Sequence, residues 1–271
     1  PHAIGERNEK RPFYITEYHE CCSLLKPNID WLKRFDYGSF FNVNQKLEVE
    51  TLSLDSIEKF SDLHIDALKI DAQGNELPIL QGAEAILNDV FLIEIESGLH
   101  KNYENETTFD EVCPFLNRKG FTCMEVFTQP AQKRKNHARQ WRSAKGQSMA
   151  CESIWGRELI KCEDEYLHSL KKSNLLSILS LCWLFGYSDY ALELIDHQIL
   201  ETLLEKKEKT ALANEATWLK PMPEADSMSS LTRLIGYLSH LLPTPVRRNL
   251  YKHLPEIAEK PNILKKLFKR E

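Results

Sequence analysis

Two acids flank a glycine-containing turn in the segment Leu68-Lys69-Ile70-Asp71-Ala72-Gln73-Gly74-Asn75-Glu76. Ala67 to Asp71 reads as a short buried strand, so Asp71 stands at its carboxyl end, the place where open α/β sheets bind ligands. An aspartate there can orient or deprotonate a hydroxyl, or it can simply cap the turn. Gly74 allows the backbone to reverse tightly, and Glu76 is favourably placed against the dipole of a following helix. A second strand, Val90 to Glu96, ends in another acid and is followed by Gly98, His100 and Tyr103. If the strands are neighbours, Asp71 and Glu96 share one rim. A carboxylate there could hold a sugar-like hydroxyl or a cation, and His100 could take a proton near neutral pH. Glu94 lies within the strand and must either pair with a base or point into the cleft.

A second candidate is the loop from Lys133 to Lys145, which carries six basic residues and no acid. Arg139 and Arg142 could hold an anionic substrate such as a phosphorylated or nucleotide-linked sugar, with Trp141 as a stacking surface. The alternative is a solvated loop.

These residues need strands and helices to position them. Residues 1 to about 160 alternate β-like and helical patterns, the mark of an α/β layered unit with a mostly parallel sheet. Leu52 to Phe60 reads as a short helix. Leu77, Leu80, Ala83 and Leu87 fall at helical spacing and predict one helix over Glu76 to Leu87. Phe109 to Arg118 predicts another, stopped by Gly120, and Phe121 to Phe127 a strand. Ser148 to Trp155 is expected to return as a final edge strand. From about Glu158 strand signals cease, and helices are expected over Glu165–Phe185, Tyr187–Glu208, Ser229–Leu242 and Pro245–His253. The expected domains are residues 1–157 and 158–271.

Composition narrows the function. The 271 residues are 42% hydrophobic and 28% charged, in the ordinary globular range. With 35 basic against 40 acidic residues, no general excess exists for a nucleic-acid backbone to select, so nucleic acid is not an expected partner. No run of about 18 apolar residues predicts a transmembrane segment. Seven cysteines are scattered without a CxxC pair, so neither a zinc site nor a disulfide framework is expected, no metal ligands are assigned, and the cytoplasm is the expected compartment.

Several segments, in order, resemble the FkbM-type S-adenosylmethionine-dependent methyltransferases. They are Ala3-Ile4-Gly5-Glu6-Arg7 with Phe13-Tyr14-Ile15 and Ser23-Leu24, then Thr51-Leu52-Ser53-Leu54-Asp55-Ser56-Ile57. The most specific is Leu68 to Glu76 with Leu80-Gln81-Gly82-Ala83, close to the family's "LKIDVEGAE…LKGA". Ile93 to Glu96, Tyr103, Phe115-Leu116 with Gly120-Phe121, and Gly146-Gln147 ahead of Glu152-Ser153-Ile154-Trp155 follow. The resemblance implies part of a class I, Rossmann-like methyltransferase sheet followed by an all-α region. It implies S-adenosylmethionine as methyl donor and a hydroxyl of a sugar, glycan or related natural product as acceptor. On that reading Asp71, Glu96 and His100 are the catalytic candidates, Gln73 and Gly74 line the donor, and Tyr103, Arg139, Trp141 and Arg142 touch the acceptor.

The family's donor site opens with a Gly-rich turn after its first strand and an acid ending its second. Here the ten glycines stand apart and the matching residues begin where a third strand would end. Three strands and two helices of that fold are therefore expected to be missing, through truncation, which Pro1 in place of Met favours, or through loss of methylation in a degenerate remnant. The competing expectation is a binding or scaffold protein holding a protein partner through its helical half.

Overall fold

The computed structural model describes residues 2–218 apart from 62, 136–144, 161–165, 167–168 and 198–201. The chain divides into two units, residues 1–161 and 162–271. The first is mixed α/β and the second is helical over its described residues, as the alternating and then strand-free patterns require.

The first unit opens on a three-stranded sheet of β1 (Ala3–Ile4), β2 (Glu9–Thr16) and β3 (Val43–Leu52), with β3 in the centre. β2 and β3 pair antiparallel and β1 joins β3 in parallel. This hairpin was not expected. Its signal is the alternation of Leu47, Val49 and Thr51, weak because much of β3 is solvent-exposed and carries polar residues on both faces. Between its strands lies α1 (Ile29–Leu32), whose Leu32 packs with Cys21, Leu25, Phe41 and Tyr103 in a small core.

Leu52 to Phe60 is not one helix. β3 runs through Leu52, a 3-10 turn covers Leu54–Ser56, and α2 (Glu58–Ser61) follows. The Asp55 carboxylate explains the interruption: it accepts from the Ala85 and Ile86 amides at 2.9 and 3.0 Å, capping a turn elsewhere instead of beginning its own helix.

The second sheet contains β4 (Ala67–Ile70), β5 (Leu92–Gly98), β6 (Phe121–Thr128) and β7 (Ala150–Arg157), ordered β4-β5-β7-β6. Only β4 and β5 are parallel; β7 runs antiparallel to both its neighbours. The expectation of an edge strand at Ser148 to Trp155 is corrected, since β7 lies between β5 and β6. Its burial agrees: Cys151, Ser153, Ile154 and Trp155 are all inaccessible, as a central strand demands.

Helices α3 (Glu76–Gln81) and α4 (Phe109–Arg118) pack on one face of this sheet. Ile79, Leu80, Val112, Phe115 and Leu116 meet Ile70, Ile93, Ile95 and Trp155 there. The helix predicted over Glu76 to Leu87 stops at Gln81, and Ile86–Asn88 forms a separate 3-10 turn. Gly82 marks the break: a Cβ there would stand 2.5 Å from the Gly5 carbonyl oxygen, so the chain passes at backbone contact with the start of the first sheet. α4 begins where Glu111 Oε2 accepts the Thr108 amide at 2.9 Å. Arg157 closes the far end of the sheet by donating to the carbonyls of Leu87, Val90 and Lys119 while stacking on Phe121.

In the second unit α5 (Lys172–Leu184), α6 (Ser188–Asp196) and α7 (Lys206–Trp218) are described. α5 ends in a Schellman turn: Gly186 has φ 87°, the Tyr187 amide reaches the Cys182 carbonyl at 2.7 Å and the Gly186 amide reaches Trp183 at 3.2 Å. The single helix expected over Tyr187–Glu208 is interrupted: His197 turns to extended backbone after α6, and α7 begins at Lys206. The helices expected over Ser229–Leu242 and Pro245–His253 lie outside the described residues. Among the described residues, no helix is long and apolar enough to cross a membrane.

Candidate active site

The register Ile70↔Ile95 between parallel β4 and β5 places Asp71 and Glu96, the next residues on each strand, side by side at the carboxyl rim of the sheet. Asp71 is exposed and Glu96 is half-buried. Burial, together with the charge of Asp71, pushes the Glu96 carboxyl up to about 7. The two acids therefore differ in environment, one open to solvent and one held partly out of it.

The turn after Asp71 carries local strain. Gln73 has φ 51° and Gly74 φ 96°, two successive residues in the left-handed region. Glycine accepts that conformation, but for glutamine it costs about 1 kcal/mol or more. Three hydrogen bonds hold Gln73 there. Its carbonyl accepts from Ser23 Oγ at 2.7 Å, its Oε1 accepts from the Tyr103 hydroxyl at 3.2 Å, and its Nε2 donates to Asp71 Oδ1 at 2.9 Å. Gln73 thus links a buried tyrosine to the exposed carboxylate and fixes that carboxylate's direction.

Behind the turn, Glu76 folds back so that Oε1 accepts the Ala72 and Gly74 amides at 3.1 and 2.9 Å. Its Oε2 is buried without a partner, and burial outweighs those bonds and pushes the carboxyl up to about 7. Glu106 is a third buried acid. Burial and the charges of Glu76 and Glu96 push it up to about 8, although its Oε2 accepts the Tyr103 amide at 2.8 Å. Gly98 is required beside it, because a Cβ there would stand 2.1 Å from Glu106 Oε1.

Glu94 is resolved in favour of pairing. Lys69 Nζ lies 2.6 Å from Glu94 and 2.9 Å from Glu152. Burial opposes the Lys69 ammonium, yet the bonds from the two carboxylates prevail and raise it, while burial and Glu152 raise Glu94. The base is thereby committed to the sheet and is not free at the rim.

Several expected roles change with this geometry. Tyr103, read as an acceptor contact, is 2% exposed, and its one hydroxyl proton is shared between the Cys21 carbonyl at 2.9 Å and Gln73 Oε1 at 3.2 Å. It supports the turn from within the core. Gly74, read as facing the donor, is buried, and its amide is taken by Glu76. His100 stands away from Asp71's hydrogen-bond network, against Gln147 at 2.6 Å and beside the Trp31 ring. Arg139, Trp141 and Arg142 lie outside the described residues. Sequence reasoning missed Ser23, which donates to the Gln73 carbonyl, and Glu106, whose side chain packs against Gly74, because nothing in their local pattern reveals a contact with a turn some 30 to 50 residues away.

S-adenosylmethionine, the donor that the resemblance implies, needs backbone amides to hold its nucleoside. β4 is the outer strand of its sheet, and among the described residues no glycine-rich turn lies beside it to offer backbone amides to a nucleoside. Among the described residues no group of acids, histidines or cysteines has the geometry to hold a metal ion.

Replacing Gln73 by glutamate tests its positioning role. The variant sets a second carboxylate against Asp71 and removes a donor, so proton uptake at the rim moves to higher pH. The carboxylate titration profile of the rim, followed by nuclear magnetic resonance, is expected to rise by about one pH unit. An unmoved profile would show that Gln73 serves the turn alone.

Residues 1–123 match the family model of the methyltransferase FkbM domain. No curated protein matches, and no solved structure matches.

Proposed function

Taking residues 1–123 as an FkbM-type methyltransferase domain, we propose that the chain serves an S-adenosylmethionine-dependent O-methyltransferase acting on a hydroxyl of a sugar, glycan or related natural product. The observation that carries this reading is Asp71, an exposed carboxylate at the end of β4, held in one direction by Gln73 Nε2 at 2.9 Å. The donor, when bound, supplies a methyl group already activated on a sulfonium.

The protein's contribution is then alignment of the hydroxyl and removal of its proton. Asp71 accepts that proton at Oδ2, the oxygen that Gln73 leaves free in this pair. Glu96, half-buried beside it, holds a neighbouring hydroxyl of the acceptor, donating while protonated and accepting once ionised. Gln73, Ser23 and Tyr103 position the pair. Transfer of label from methyl-labelled S-adenosylmethionine to sugar and natural-product hydroxyls tests the reading; a panel yielding no labelled ether would count against it.

A further inference from the structure

A second group of side chains gathers about the ring of Trp31, beside the segment that leaves the rim after Gly98. Trp31 lies 5.3 Å from the Phe35 ring and 5.3 Å from His100, measured between centroids. The Arg134 guanidinium stacks 4.3 Å over Phe35 and stands 5.8 Å from Trp31, and that of Arg34 stands 4.8 Å over Trp31. The backbone fixes this arrangement: Phe35 and Arg134 form a β-bridge, and the Lys135 amide donates to the Arg34 carbonyl at 2.9 Å.

The polar atoms here are almost all donors. Arg134 Nη2 donates to Gln147 Oε1 at 2.5 Å, so the Gln147 amide nitrogen is left to donate to His100 Nε2 at 2.6 Å. That Nε2 must therefore accept, which places the imidazole proton on Nδ1. Trp31 Nε1 and Arg134 Nη1 are buried, and neither has an acceptor among the described residues. Among the described residues neither Arg34 nor Arg134 has a carboxylate partner, whereas nearby Asp30 is taken by Lys33 and Glu104 by Lys26. Burying a donor without an acceptor is costly, and two such donors beside two uncompensated guanidinium groups call for a negatively charged acceptor.

We propose that Trp31, Arg34 and Arg134 form a binding site for an oxyanion, a carboxylate or phosphate group. The indole and Nη1 N–H groups donate to its oxygens, and the arginines supply the charge. His100, held by Gln147, forms the wall toward β5. As a statement about the acceptor, that it carries an acidic group besides the methylated hydroxyl, the inference rests on the methyl-transfer reading; the oxyanion site itself does not.

The test follows the indole N–H signals of the 271-residue chain by nuclear magnetic resonance, with the Trp31 signal assigned through Trp31→Phe. Inorganic phosphate and acetate are titrated separately at constant ionic strength. The Trp31 signal is expected to move in a saturable way, and Arg134→Gln is expected to weaken the response by about tenfold or more. A response to phosphate alone assigns a phosphorylated ligand, and a response to both assigns an oxyanion without further selection. A Trp31 signal unmoved by either anion, or an undiminished response in Arg134→Gln, overturns the proposal. Should Arg134→Gln unfold, Arg134→Lys keeps the charge and loses the fork, and full-strength binding in that variant equally overturns it. Because no methyl donor is present, the outcome is independent of whether methyl transfer occurs.

Discussion

Replacing Asp71 by asparagine is expected to lower kcat for methyl transfer by a factor of about 10² to 10⁴, the range contributed by a positioned general base. The substitution is nearly isosteric, and an asparagine oxygen can still accept from Gln73 Nε2, so the turn keeps its geometry. Asp71 is exposed, and stability should change by less than about 0.5 kcal/mol. Loss of rate with KM and the unfolding midpoint preserved would place the defect in proton removal. A loss smaller than about tenfold would mean that Asp71 only orients the hydroxyl, a task asparagine can also perform.

The second large effect is on stability. Glu76, Glu96 and Glu106 sit in one region with their carboxyls pushed up to about 7, 7 and 8, principally by burial. In the unfolded chain a glutamate titrates near about 4.3. Between that value and about 8, the folded protein therefore binds more protons than the unfolded one, and stability falls as pH rises. The contribution is complete below the unfolded value and is lost by about pH 8. The three contributions are not additive, because the carboxyls repel one another. Glu111, whose carboxyl is lowered mainly by the Thr108 amide, acts in the opposite sense at more acid pH. The urea midpoint should thus peak near about pH 5 and decline toward pH 8. Glu106→Gln, which retains an oxygen for the Tyr103 amide, should flatten the decline. A midpoint that climbs steadily from pH 5 to 8 would contradict this arrangement of buried acids.

The parts of the molecule legible in the sequence are those governed by local pattern. β4, β5, β6 and α4 follow from short runs of apolar residues and their stops, and the placement of Asp71 beside Glu96 follows once β4 and β5 are neighbours. What was not legible depends on contacts between distant segments. Gly82 ends α3 because the backbone of Gly5 and Glu6 passes against it, which no helical periodicity reveals. β7 reads like an edge strand in a linear order of elements, and only the pairing with both β5 and β6 shows it to be central. Tyr103 looked like a binding residue because it follows the rim in sequence. The segment that joins β2 to β3, with α1 within it, instead encloses it, and its hydroxyl serves Gln73 from inside. The strain at Gln73 is hidden for a similar reason: Ser23 and Tyr103, which help to hold this glutamine in the left-handed region, come from elsewhere in the chain.

The central claim, that this rim belongs to a methyl-transfer site, is tested most directly by calorimetric titration of S-adenosylmethionine into the protein. The account predicts saturable one-to-one binding. An absence of binding would contradict it and would mean that the rim around Asp71 serves something other than methyl transfer.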